Sequence, residues 1–279
     1  MQELSEMAKA GLLGRYAGKF RVEAFGYGTV RDYCDSCDHL PSLSSAQNDL
    51  KDLQRPWTVK AALGLLPKGS RLLEIGAGQP LVAGLLADLG YDVTVIDPYD
   101  GSGGGPMEFQ SFVHLYPTIR IIRDQFRLDA PQLKDEIFDG IYSISVLEHV
   151  LEPALGALFQ AVSAHLRPGG QSFHSVDCVV QGSGAAYHFE QCWRIANYQR
   201  EIAGGSSMDR KALVELFERA DEDIETCYLS AAGHNLWRSE TPYEMFPFRK
   251  VLSFQTQVSR STFGSRSPAG NQLAGSMAM

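Results

Sequence analysis

Glu74, Gly76 and Gly78 fall within five residues, E-I-G-A-G, at the end of the apolar run Arg71 to Ile75. Glycines directly after such a run let the backbone bend sharply and approach a ligand closely, as nucleotide sites require. Glu74 is the odd member, because a carboxylate in an apolar strand is costly to bury unless a partner hydrogen-bonds or pairs with it. Asp97 ends the next apolar run, 21 residues after Gly76, where an acid can accept both hydroxyls of an adenosine ribose. Two ligand classes share these features: a pyridine dinucleotide and an adenosyl sulfonium that carries an activated methyl group. The dinucleotide fingerprint needs a third small residue, and Leu81 occupies that position. An NAD(P)-dependent oxidoreductase therefore lacks its most diagnostic element here.

From residue 71 onward the chain reads strand, turn, helix, repeatedly. RLLEI (71–75), YDVTVID (91–97), IRIIR (119–123), FDGIYSIS (138–145) and QSFHSVD (171–177) have strand character. PLVAGLLADLG (80–90) and PALGALFQAVSAHL (153–166) read as helices, the first with Pro80 in its opening turn and Gly90 just past its end. Such alternation with short connections specifies an α/β fold, a mostly parallel sheet with helices on both faces. ALVELFERA (212–220) predicts a further helix, and IETCYLSA (224–231) with RKVLSFQTQV (249–258) two strands pairing antiparallel at one edge. Residues 1–60 read as an N-terminal helical cap ending in a helix with Trp57 and Val59, and 61–260 as the main domain with a substrate-side insertion at 178–210. The Gly-, Ser- and Ala-rich residues 261–279 read as a flexible tail.

Composition narrows the function classes. The 279 residues are 44% hydrophobic with a formal charge of −8, enough to fill a core and without a basic block to track a phosphate backbone, which disfavours nucleic acid as a partner. No apolar run approaches the roughly 18 residues that span a bilayer, and the N-terminus lacks a leader pattern, so no membrane association and a cytoplasmic location are expected. Five cysteines make no disulfide framework; Cys34-x-x-Cys37 has no second pair to complete a zinc site and reads as a polar loop.

Taken together, E-x-G-x-G at 74–78, the acid Asp97, FDGIYSISVLEHV at 138–150 and LRPGG at 166–170 resemble the class I S-adenosylmethionine-dependent methyltransferases, particularly the small-molecule group with a vLEHV segment. The resemblance spans roughly residues 57–180. It implies a Rossmann-like sheet of seven strands, S-adenosylmethionine as cofactor, and methyl transfer to an oxygen, or secondarily a nitrogen, of a small-molecule acceptor. Under it Gly76, Ala77 and Gly78 pass the methionine part of the donor, Glu74 orients that turn, and Asp97 holds the ribose. Asp124 with Gln125 meets the adenine, Asp129 being the rival, and Ser143 and Ser145 border the methionine portion. Arg31 or Tyr33 is a candidate to close over the donor. The sequence specifies no oligomeric state, and a donor-binding subunit without activity is the non-enzyme alternative.

A sulfonium methyl is already activated, so such an enzyme aligns the acceptor, excludes water and, where needed, takes up a proton. It needs neither metal nor covalent nucleophile. The acceptor enters above the carboxyl ends of the strands, which puts His149, Asp177 and the Tyr187-His188-Phe189-Glu190 cluster near one cavity. We read His188, in a polar and aromatic loop, as the preferred base, His149 as the second, and His234 as a weaker third. His149 can equally pack the helix start, and Asp177 can simply end its strand. Tyr187, Trp193, Trp237 and Tyr243 are either pocket walls or core. GSGGG (101–105) is expected to be a flexible loop, and His114, His165 and His174 to pack or face solvent.

Overall fold

The structure is a computed structural model and describes residues 4–44, 50–102, 105–229 and 249–262. At its centre is a seven-stranded sheet in the order β1-β7-β6-β5-β2-β3-β4. The strands are β1 (Phe25–Tyr27), β2 (Arg71–Ile75), β3 (Asp92–Asp97), β4 (Arg120–Arg123), β5 (Phe138–Ile144), β6 (Leu166–Gly182) and β7 (Arg249–Ser259). Pairings among β2, β3, β4, β5 and β6 are parallel, while β7 runs antiparallel to both β6 and β1. The α/β sheet with antiparallel pairing at one edge is thus present.

Alternation along the strands sorts side chains onto two faces. Leu73 and Ile75 of β2 join the core under α6 (Ala154–His165), α7 (Ala185–Ile202) and α8 (Arg210–Glu222). Leu72 joins the opposite core, with residues of α1 (Glu6–Tyr16), α3 (Lys51–Leu65) and α4 (Leu81–Asp88). Tyr142 and Phe173 stack on that second face with ring centroids 5.3 Å apart.

Four local expectations are corrected. Residues 224–229 form only two isolated bridges, Thr29↔Thr226 and Tyr228↔Leu252; the outer edge of β7 is already taken by β1, through Phe25↔Thr256, Gly26↔Gln255 and Tyr27↔Phe254. His188 lies on α7, not in a loop. That helix buries Gln191, Cys192, Ile195, Ala196, Gln199 and Ile202, a helical stripe obscured in the sequence by its glutamines. Cys34 and Cys37 belong to α2 (Val30–His39), which starts at a capping box between Thr29 and Asp32. The fifth strand, expected over 171–177, runs longer as β6, with LRPGG as its first residues and a register irregularity between Phe138 and Gly140 on β5.

The N-terminal segment is anchored at Gly64 of α3. Gly18 N–H donates to the Leu63 carbonyl at 3.0 Å, and a Cβ on Gly64 would lie 2.4 Å from the Phe20 carbonyl oxygen. Replacing a helical glycine by alanine gains up to about 1 kcal/mol in propensity, but overpacking against rigid backbone costs about 1–3 kcal/mol. Gly64→Ala should therefore lower stability in urea denaturation despite its better helix propensity; an unchanged or raised midpoint would show that the 18–20 segment does not pack on α3.

Candidate active site

At the carboxyl ends of the parallel strands lies a cavity of about 1030 Å³. The β2–α4 turn forms one wall. Gly76 and Gly78 have φ of 67° and 55°, values that side-chain-bearing residues rarely adopt. A Cβ on Gly76 would sit 2.8 Å from Val146 Cγ2, so glycine is required there for space as well as conformation. Asp97 holds the turn in place: its Oδ2 accepts the Gly78 N–H at 2.9 Å and its Oδ1 the Tyr99 N–H at 2.8 Å. Each oxygen keeps a further lone pair, and Asp97 lines the cavity.

Glu74 also reaches the cavity, from within the sheet. It is 2% exposed, and Tyr142 Oη donates to its Oε2 at 3.1 Å. Burial pushes its carboxyl up to about 7, against the opposing pull of the Tyr142 hydrogen bond and of Arg55.

The opposite wall is the segment after β5. Ser145 adopts φ 55°, a strained conformation for serine. Its Oγ lies 3.0 Å from Glu148 Oε1 and 3.1 Å from Asp177 Oδ2, while the Asp177 N–H donates to the same Glu148 oxygen at 2.9 Å. Burial first, then the charge of Asp177, raises the Glu148 carboxyl well above the usual range. These contacts fix the turn that presents Ser145, Val146 and His149 to the cavity.

Of the residues chosen from sequence, Glu74, Gly76, Ala77, Gly78, Asp97, Gln125, Ser145 and His149 line this one cavity. Three do not. Asp124 is engaged by Arg127 Nη1 at 2.6 Å and by the Gln125 N–H at 2.8 Å, leaving Gln125 and Phe126 at that end; Asp129 is exposed and pairs with Arg127. Ser143 is fully buried, its Oγ 2.8 Å from His174 Nδ1, and the other nitrogen of that ring is 2.9 Å from Ser172 Oγ. His188 donates from Nδ1 to the Asp177 carbonyl at 3.1 Å, and burial lowers its pKa.

Arg31 pairs with Glu225 at 2.6 Å, and neither it nor Tyr33 lines the cavity. Trp193 is a packing residue, donating to the Met208 carbonyl at 3.0 Å beneath Arg210. Gly101, Ser102 and Gly105 of the expected flexible loop line the cavity. His234, Trp237 and Tyr243 lie outside the described residues. Lys51 and Arg55 of α3 line the cavity and escaped the sequence reading, because nothing local ties that helix to the glycine turn. Glu148 escaped it too, although a carboxylate in the apolar string VLEHV carries the same signal that singled out Glu74. Among the described residues no group of three or more His, Cys, Asp or Glu is arranged to hold a metal, and no helix is long and apolar enough to cross a membrane.

Comparison with known proteins gives the family of the chain. A family model described as a methyltransferase domain matches residues 51–226, so the chain belongs to the methyltransferase domain family. The ubiquinone biosynthesis O-methyltransferase of Pseudomonas aeruginosa (strain UCBPP-PA14) is 30% identical over 131 residues, covering 46% of this chain and 52% of that protein. The protein of the same name from Xanthomonas axonopodis pv. citri (strain 306) is 33% identical over 113 residues, covering 40% and 44%. The chain thus spans about half the length of the curated relatives it matches. Among solved structures, the 1,6-didemethyltoxoflavin-N1-methyltransferase of Burkholderia thailandensis aligns over 83% of this chain and 87% of its own, at 15% identity and a TM-score of 0.43.

The buried Glu74 carboxyl generates a pH dependence. Its folded value of about 7 stands above the ordinary 4.5, so between these values the folded state keeps a proton that the unfolded chain releases. The stability carried by that proton is complete below the window and is lost as pH rises through it. Glu74→Gln keeps an acceptor for Tyr142 without the ionisation. Between about pH 5 and pH 8 the wild type should lose about 1–3 kcal/mol more unfolding free energy than the variant. Parallel stability–pH curves from chemical denaturation would contradict this.

Proposed function

We propose that the chain transfers a methyl group from S-adenosylmethionine to an oxygen of a small molecule. The observation that carries this reading is the convergence of the glycine turn, Asp97 and Glu74 on one cavity. The cavity suits the donor chemically. The Gly76 and Gly78 backbone leaves a cradle that a Cβ at Gly76 would close against Val146. Asp97, already oriented by two amides, has lone pairs left for a pair of ribose hydroxyls. Lys51 and Arg55 bring cationic side chains to the same space, matching a donor that carries an amino-acid carboxylate, and Gln125 and Phe126 offer an amide and a ring to the adenine. Family membership supports a methyltransferase over the oxidoreductase reading, and the relatives' names support oxygen as the acceptor atom.

When bound, the donor supplies an electrophilic methyl group. The chain's own residues do the rest. Ile144, Val150, Leu151 and Leu158 line the cavity beside His149 and reduce water near the reacting atoms, which strengthens polar interactions there. His149 is the base in this reading, taking the proton of the acceptor hydroxyl as oxygen attacks. It replaces His188 as first choice, since His149 lines the cavity and His188 does not. Glu148 and Asp177 act through Ser145, keeping the His149 turn in position.

Calorimetry should register binding of S-adenosylhomocysteine and none of NADH, and Asp97→Ala should weaken the former about tenfold or more. Preferred binding of NADH would refute the donor assignment. With labelled donor and a panel of hydroxylated small molecules, His149→Ala should lower turnover about 100-fold or more while leaving S-adenosylhomocysteine affinity nearly unchanged. A His188→Ala variant that lost as much activity, with His149→Ala unaffected, would return the role of base to His188.

A further inference from the structure

The opening residues of α3 serve two places at once. Lys51 and Arg55 line the donor cavity, whereas Gln54, between them, does not. Gln54 is fully buried, and its Nε2 donates to Asp177 Oδ1 of β6 at 2.8 Å. Pro56 follows inside the helix, and because proline has no N–H the carbonyl four residues earlier loses its helical donor. The Ser44 hydroxyl donates to that Asp52 carbonyl instead, at 3.1 Å. Neighbours outside the helix therefore help to hold this donor-facing turn, and Gln54 links it to the sheet.

Asp177 continues the link as a hydrogen-bond chain. Its other oxygen, Oδ2, lies 3.1 Å from Ser145 Oγ, which in turn lies 3.0 Å from Glu148 Oε1. A serine hydroxyl has one hydrogen, so for both contacts to be hydrogen bonds it donates to one acid and accepts from the other. The chain needs one carboxyl proton, and its direction depends on which acid holds it.

Two contacts decide the direction. Glu148 is 3% exposed, and its Oε2 has no hydrogen-bond partner among the described residues, so a charge on this acid would be buried half-solvated. Asp177 receives the Gln54 amide on Oδ1, and with the Ser145 hydroxyl on Oδ2 both of its oxygens are satisfied as a carboxylate. The proton therefore belongs to Glu148, and the hydrogens run from Glu148 to Ser145 to Asp177. Gln54 completes the chain from its far end.

We propose that Gln54 is a positioning residue, its amide fixing the direction of this chain and tying the donor-facing start of α3 to the turn Leu147–His149, a role that rests on the methyl-transfer reading with His149 as base. Glu148 immediately precedes His149, and the Asp177 N–H donates to Glu148 Oε1 at 2.9 Å, so a chain of one direction holds the base in one place. Without the Gln54 amide the charge loses its preference for Asp177, the proton spreads over both acids, and Ser145 has two competing orientations.

Infrared difference spectra of the full chain at neutral pH, with the side-chain carboxyls of either its glutamates or its aspartates isotopically labelled, read where the proton sits. Glu74→Gln serves as the parent, so that Glu148 is the remaining buried glutamate among the described residues. Labelled glutamate should move the protonated-carboxyl band, and labelled aspartate should not. After Gln54→Met, which keeps the length of the side chain without its donor, part of the band should move with the aspartate label. In the otherwise wild-type chain, with labelled donor and the most reactive hydroxylated acceptor, Gln54→Met should lower kcat about tenfold while acceptor KM and S-adenosylhomocysteine affinity stay nearly unchanged. A parent band that follows aspartate, a Gln54→Met band that stays wholly on glutamate, an undiminished kcat, or a loss of S-adenosylhomocysteine affinity as large as the loss of kcat would each overturn the proposal. If Gln54→Met did not fold, the labels in the parent would still decide the direction of the chain. Absence of turnover by the wild type with every acceptor would count against the methyl-transfer reading, while the infrared comparison would still test Gln54.

Discussion

The candidate site depends on one carboxylate gripping two backbone amides. Asp97, at the end of β3, accepts from Gly78 on the neighbouring β2–α4 turn and from Tyr99 on its own. Without that clamp the glycine turn, chosen for conformational freedom, would have no reason to hold one shape, because glycine gives up more chain entropy on ordering than any other residue. Parallel pairing of β2 with β3 sets the register, Ile75 opposite Ile96, and brings the acid to the turn. The Gly76 N–H donating to the Ile96 carbonyl at 2.9 Å continues the same ladder into the turn.

A second carboxyl group supports the opposite wall by different means. Glu148 is buried, and its proximity to Asp177 makes simultaneous ionisation of the pair unfavourable. Ser145 stands between them in a backbone conformation serine seldom takes. The two walls are therefore built differently. Asp97 grips two backbone amides, whereas Glu148 sits where burial and a neighbouring acid favour the neutral form.

The parts legible in the sequence were those where local pattern and tertiary role coincide. β2, α4 and β3 each carry their own period, and Glu74, Gly76, Gly78 and Asp97 mark the ends of those elements, so spacing alone brought them together. Legibility failed where the decisive neighbour was remote. β1 is three residues long and is a strand because β7 lies beside it, which no local propensity records. The stripe of α7 includes buried Gln191 and Gln199, residues that break an apolar count while donating to the Leu147 and Val150 carbonyls and to Thr256 Oγ1. Asp124 looked well placed by strand order, but Arg127, three residues on, claims its carboxylate.

The edge strand carries a consequence for biosynthesis. Phe25 pairs with Thr256, so β1 leaves the ribosome long before the strand it must pair with. Until β7 emerges, β6 offers an open flank of unpaired backbone groups, the kind of border that recruits other chains. Closing so long a loop adds little thermodynamic penalty but delays the contact. Nascent chains therefore depend on holding factors until β7 has been made, and fragments truncated before β7 aggregate even with the entire glycine-turn half intact.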